Sequence, residues 1–167
     1  MENPTSLQHS LLVLAPSRRA VSETFVRANL QGLPFNVTAF FGDERPLKRP
    51  WRLAYGIAIL LSKACTRLRW LRLASWPASV VTFGLIRSYR PQAVMVEFGF
   101  EAVRVMEACA WTGVPLVVHF RGSDASARDR LGLLNHRYRR LMRIAAGVIV
   151  KSQPMAQTLL ALGARPD

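Results

Sequence analysis

Apolar residues gather in five short runs: "SLLVLAP" (10–16), "FNVTAFFG" (35–42), "QAVMVEFG" (92–99), "PLVVHFRG" (115–122) and "AGVIVKS" (146–152). Each is strand length, rich in Val, Leu, Ile or Phe, and bounded by Pro, Gly or Ser. Most are continuous rather than alternating, the pattern of strands covered on both faces. Patterns of helical period stand between them. "SETFVRANLQGL" opens on Ser22 as a cap, with Glu23 in the first turn where an acid suits the helix dipole. "FEAVRVMEACAWTG" sets Glu101, Arg104 and Glu107 along one edge and stops at Gly113. "RDRLGLLNHRYRRLMRIAAG" lines up Leu131, Leu134, Tyr138, Leu141 and Ala145, with arginines around the stripe.

This alternation predicts an α/β fold, a Rossmann-like parallel sheet with helices on both faces, because parallel neighbours need crossovers and those crossovers are right-handed. The order of the strands is not readable from the pattern. A chain of 167 residues suits one domain with one sizeable core. Ligands of such sheets bind beyond the carboxyl ends of the strands. The segments Pro16 to Thr24, Glu97 to Phe100, His119 to Asp124 and Lys151 to Gln153 are therefore expected to share one rim.

A long insertion at about 43–91 separates the second and third runs. Within it "KRPWRLAYGIAILLSKACTR" (48–67), wound at ~100° per residue, gathers Lys48, Arg49, Arg52, Lys63, Thr66 and Arg67 within about a quarter of the circumference. The other faces are almost wholly apolar, and Trp51, Trp70 and Trp76 lie nearby. Two readings follow. The segment lies on an anionic membrane surface, or it packs on the core by its Leu and Ile face and leaves Lys and Arg in solvent. The apolar stretch "LASWPASVVTFGLI" (73–86) is broken by Pro77, and no stretch reaches the ~20 apolar residues of a membrane span.

The formal charge of +13, from 23 basic against 10 acidic residues, attracts phosphates, anionic lipid headgroups and acidic polysaccharides alike. No RNP-like strand, helix-turn-helix signature or zinc-finger spacing accompanies it, so no specific nucleic-acid partner is expected. A basic nucleic-acid-binding α/β protein is the lowest-ranked reading. Cys65 and Cys109 have no C-x-x-C or His companion and read as reduced core residues, with no disulfide or metal framework. "MENPTSLQHS" lacks the basic start and apolar run of a secretion signal, so the expected location is the cytoplasm, with the inner face of the membrane if the basic helix binds there.

Read together, "SETFVRANL", "EFGFEAV", "VVHFRGSDAS" and "AAGVIVKSQPMAQTLLALGARPD" resemble, in order and spacing, the N-terminal domain of glycosyltransferase family 4, the retaining GT-B enzymes. The flavour is that of transferases building extracellular or capsular polysaccharide. The resemblance spans almost the whole chain except the insertion. It implies residues 1–167 as a single acceptor-side domain, with the C-terminal donor-binding domain absent and supplied in cis or in trans. The implied function is transfer of a sugar from a nucleotide-sugar, as co-substrate rather than cofactor, to a glycan or lipid-linked acceptor, with the isolated half inactive. A non-catalytic subunit that recruits a split transferase to the membrane is the alternative.

Such transfer must stabilise a leaving diphosphate and an oxocarbenium-like sugar. The loop carrying Arg18, Arg19, Ser22, Glu23 and Thr24 meets a helix N-terminus suited to phosphate, although the paired glycines common in the family are missing; the alternatives are that Arg18 and Arg19 hold an acidic acceptor or are solvated. Arg121 stands where many relatives carry a histidine before the glycine of an "HG-x-D" motif, and His119 lies two positions earlier, on the same side of an extended strand. Arg121 cannot act as a base near neutrality, but its fork can hold a phosphate or carboxylate. His119 reads equally as a catalytic residue and as a hydrogen-bonded core histidine. Gly122 permits a turn and Asp124 caps the next helix. Glu97, followed by Phe98 and Gly99, either pairs with a rim arginine such as Arg121 or accepts hydrogen bonds from acceptor hydroxyls. Lys151 and Ser152 close the rim.

Overall fold

The structure is a computed structural model describing residues 9–16, 28, 30–42, 49–68, 70, 73, 75–121 and 128–166, with only the chain path at 49–52, 55, 66 and 128–134. All five apolar runs form strands: β1 (Ser10–Ala15), β2 (Asn36–Phe41), β3 (Ala93–Glu97), β4 (Leu116–His119) and β5 (Gly147–Ile149). They form one sheet, ordered β2-β1-β3-β4-β5, in which every neighbouring pair is parallel. The helices are α1 (Arg49–Arg67), α2 (Trp76–Tyr89), α3 (Gly99–Thr112), α4 (Arg128–Ile144) and α5 (Gln153–Ala161). This is a Rossmann-like α/β sheet flanked by helices.

Strand alternation sorts the core. Leu12, Leu14, Val94, Val96, Leu116 and Val118 face a buried cluster that includes Leu85, Met106, Tyr138 and Leu159 from the helices. Leu11, Val13 and Met95 point the other way, against Leu30 and Leu33 from the β1 to β2 connection. Gly113 ends α3 in the left-handed conformation (φ 69°), as the sequence pattern expects of a C-terminal glycine.

The insertion departs from its sequence reading in two ways. Pro77 does not end the apolar stretch but sits in the first turn of α2, where proline's missing N–H is no loss. The helix then runs to Arg90, whose left-handed backbone (φ 47°) turns the chain while its N–H donates to the Ile86 carbonyl at 2.8 Å. The second departure concerns α1. Most of its Leu and Ile positions face outward: Leu53, Ile57, Leu60 and Leu61 are exposed and only Ile59 is half-buried, whereas the small Ala58 and Ser62 are buried. Packing on the core by a Leu and Ile face is thereby overturned, because small side chains let α1 approach its neighbour and leave the large ones outside.

The charged edge of α3 also divides. Arg104 bonds Glu101 one turn back at 3.1 Å, but Glu107 turns to α4 and accepts two bonds from Arg140, from Nε and Nη2, both at 2.7 Å. Arg137, a turn earlier on α4, donates to Ser75 Oγ and to the Val103 carbonyl, joining the start of α2 to α3 and α4.

Candidate functional site

β3 and β4 are in register with Glu97 opposite His119. Aligned residues of neighbouring strands project to the same face, and the residue two further on does so again. Glu97, His119 and Arg121 accordingly meet on the face that carries Leu11, Val13 and Met95 lower down. The backbone continues the ladder past the strand ends: Phe98 N–H donates to the His119 carbonyl at 3.0 Å and Phe120 N–H to the Ile149 carbonyl at 2.9 Å. The polar tip of "VVHFR" is thus held from both sides.

The three side chains converge on one atom. Arg121 Nε donates to Glu97 Oε2 at 2.8 Å, and His119 Nδ1 lies 3.2 Å from the same oxygen. All three are buried, the Glu97 side chain completely at 0 % exposure. Burial would by itself raise the Glu97 pKa, but the neighbouring His119 and the bonded Arg121 outweigh it and hold the carboxyl below its ordinary value, so the group is ionised near neutrality. Glu97 Oε1 has no hydrogen-bond partner among the described residues.

Phe98 completes the cluster. Its backbone has φ 75° and ψ 134°, a region that side chains other than glycine's rarely enter and that holds roughly 1–3 kcal/mol of strain. The ring lies 5.8 Å from the Arg121 guanidinium carbon, within cation–π range, and 5.4 Å from the ring of Phe100. Gly99 has a steric reason to be glycine. A Cβ there would run into Phe120 Cε1, so only glycine lets α3 start this close to the Phe120 ring. That ring packs edge-on against Tyr138 in the core, at 5.8 Å between centroids.

In this strand order the chain reverses its direction of travel across the sheet between β1 and β3, and the crevice outside those two strand ends is where such sheets bind ligands. Glu97, Phe98 and Gly99 border it on the β3 side. Lys151 and Ser152 lie at the same edge beyond β5, both exposed, and Ser152 stands at the cap position of α5 with its carbonyl accepting the Ala156 N–H at 3.0 Å. The structure therefore joins Glu97, Phe98, His119 and Arg121 into one cluster and leaves Lys151 and Ser152 further along the edge. Arg18, Arg19, Ser22, Glu23, Thr24, Gly122, Asp124 and Lys48 lie outside the described residues, as do the side chains of Arg49 and Arg52. Lys63 and Arg67 are described and exposed.

Two features escaped the sequence reading. The strained turn at Phe98 has no local signature, because an aromatic before a glycine is compatible with ordinary extended backbone. The clamp of Arg137 and Arg140 on α2 and α3 was legible only as surplus charge around an apolar stripe. Among the described residues no three His, Cys, Asp or Glu side chains are grouped to hold a metal ion. Compared with known proteins, the chain matches no family model and no curated protein sequence.

Proposed function

We propose that this domain is the acceptor-side half of a glycosyltransferase that moves a sugar from a nucleotide-sugar to a growing polysaccharide or lipid-linked glycan, working with a second Rossmann-like domain, in cis or in trans, that holds the donor. The observation that carries the reading is the Glu97–His119–Arg121 cluster, built at the carboxyl ends of β3 and β4 beside the β1/β3 crevice. The ordered rim motifs of the sequence, which include these three residues, also support it.

On this reading the roles divide between the carboxylate and the guanidinium. Glu97 is fully enclosed, so it positions rather than touches: it fixes the Arg121 guanidinium from one side while the Phe98 ring lies near it on another. A guanidinium so held binds a phosphate or carboxylate with little further loss of freedom, as a lipid-diphosphate-linked or acidic glycan acceptor requires. The same positive charge favours the diphosphate that leaves in transfer. His119, close to the same carboxylate oxygen, adds a second support to the cluster.

The test is incorporation of radiolabel from UDP-glucose, UDP-N-acetylglucosamine and GDP-mannose into the lipid and polysaccharide fractions of the source cells. Deleting the chain is expected to abolish incorporation from one donor, wild type to restore it, and Arg121→Lys, which keeps the charge and loses the fork, to restore little. Incorporation unchanged by the deletion for all three donors argues against the reading.

A further inference from the structure

The insertion carries a surface that the sugar-transfer reading does not use. An ordinary surface helix turns its large apolar side chains inward. α1 does the reverse: Leu53 and Leu60 are 70 % and 68 % exposed, and Ile57 and Leu61 stand out beside them. These positions recur at three- and four-residue spacing and so form one stripe along the helix. The exposed Ala64 and Leu68 extend it, with Lys63 and Arg67 exposed along its border. α2 packs beside α1 and α3 beside α2. Trp76 and Phe83 of α2 are exposed with Trp111 of α3, their rings 5.3 and 6.4 Å from the Trp111 ring, and Trp70 is exposed in the chain between α1 and α2.

Charge singles out the same region. From Arg45 to Val96 the chain contains ten basic residues and not one Asp or Glu, so this stretch holds +10 of the chain's formal +13. Exposed leucines, interfacial tryptophans and unrelieved positive charge together describe a partner that is apolar within and anionic at its surface. We infer that α1, with the aromatic group of α2 and α3 beside it, seats in the headgroup layer of an anionic lipid bilayer: the Leu53–Ile57–Leu60–Leu61 stripe enters the acyl boundary, the tryptophans lie at headgroup level, and Lys63 and Arg67 meet lipid phosphates. No helix among the described residues is long and apolar enough to cross the membrane, so the attachment is in-plane. A second copy of the chain is a poor occupant, since it would bring +10 against +10. Nucleic acid matches the charge but gives the leucine stripe nothing to bury against.

The inference stands whether or not the domain transfers sugar, and vesicle binding tests it without any sugar substrate. The full chain is sedimented with sucrose-loaded vesicles of phosphatidylcholine mixed with phosphatidylglycerol, and with phosphatidylcholine alone, at about 0.15 M salt. Wild type is expected to partition to the anionic vesicles. Lys63→Gln with Arg67→Gln is expected to lower that partition about 30-fold, roughly fivefold for each basic residue at the surface. Ile57→Glu with Leu60→Glu is expected to abolish it, with the melting temperature kept because both positions are exposed. Quenching of wild-type tryptophan fluorescence by brominated lipid reads the depth of the contact without any variant, and is expected to be strong. Three results overturn the inference: binding that Ile57→Glu with Leu60→Glu leaves intact, no quenching by brominated lipid, or a lipid-free dimer that the same double variant dissociates.

Discussion

Replacing Glu97 by alanine removes the carboxylate from a pair enclosed at the edge of the sheet, where the Arg121 side chain is only 8 % exposed. Breaking a buried pair from one side leaves the other charge uncompensated and destabilises by about 3–5 kcal/mol. Native domains hold roughly 5–15 kcal/mol in all, so the loss is a large share of the total. With a urea slope of ~2 kcal/mol/M the midpoint shifts down by about 2 M. Replacing both partners by methionine removes the charges together while keeping most of the volume. Glu97→Met with Arg121→Met is therefore expected to recover most of the loss, since exchanging a whole buried pair for apolar groups is often neutral or stabilising by about 1–4 kcal/mol. Urea unfolding followed by circular dichroism at pH 7 reads both variants, and equal slopes show that the native ensemble is unchanged. A Glu97→Ala loss under ~1 kcal/mol, in the range of an exposed pair, would refute the reasoning, and so would a double variant as unstable as the sum of the two singles.

Acid should weaken the fold through the paired carboxylates. Glu97 is held below the ordinary carboxyl value of 4.5 by His119 and Arg121 against its burial, and Glu107 is held low chiefly by its Arg140 bond. A lowered folded pKa means the contribution is complete above 4.5 and is lost as pH falls from there through the folded values, so the melting temperature should drop in that window and drop less in Glu97→Gln. Burial pushes the Cys109 thiol up to about 12, whereas Cys65 is only half-buried, so iodoacetamide at pH 8 should label Cys65 well before Cys109 until denaturant is added; equal labelling rates contradict this. Gly99→Ala should destabilise by about 1–3 kcal/mol through the Phe120 ring, and Phe120→Leu should soften the penalty in a double-mutant cycle.

The sheet was legible because five apolar runs of strand length are a direct consequence of burial on two faces, and each of those runs forms a strand. Strand order was not, since nothing in a run such as "SLLVLA" states which neighbour it will choose. The Glu97 and Arg121 pairing was open as one of two readings: a carboxylate ending an apolar strand needs a partner, but sequence separation of 24 residues does not name it. Register does, by setting Glu97 opposite His119. The direction of α1 was the hardest to read. Its composition is compatible with leucines inward or outward, and only the packing of Ala58 and Ser62 decides between them. Pro77 misled for a related reason, because a proline ends a helix from within but opens one from its first turn.

The central claim is that ligands meet this domain at the carboxyl edge of its strands. Amide chemical shifts of the ¹⁵N-labelled chain, followed while UDP, UDP-glucose and a series of mono- and oligosaccharides are added, address it directly. The account expects the largest perturbations at Phe98, Gly99, Phe120 and Arg121, with smaller ones at Lys151 and Ser152. Perturbations concentrated at the opposite edge, around Gln92, Val114 and Ala146, or none from any of these ligands, would contradict it.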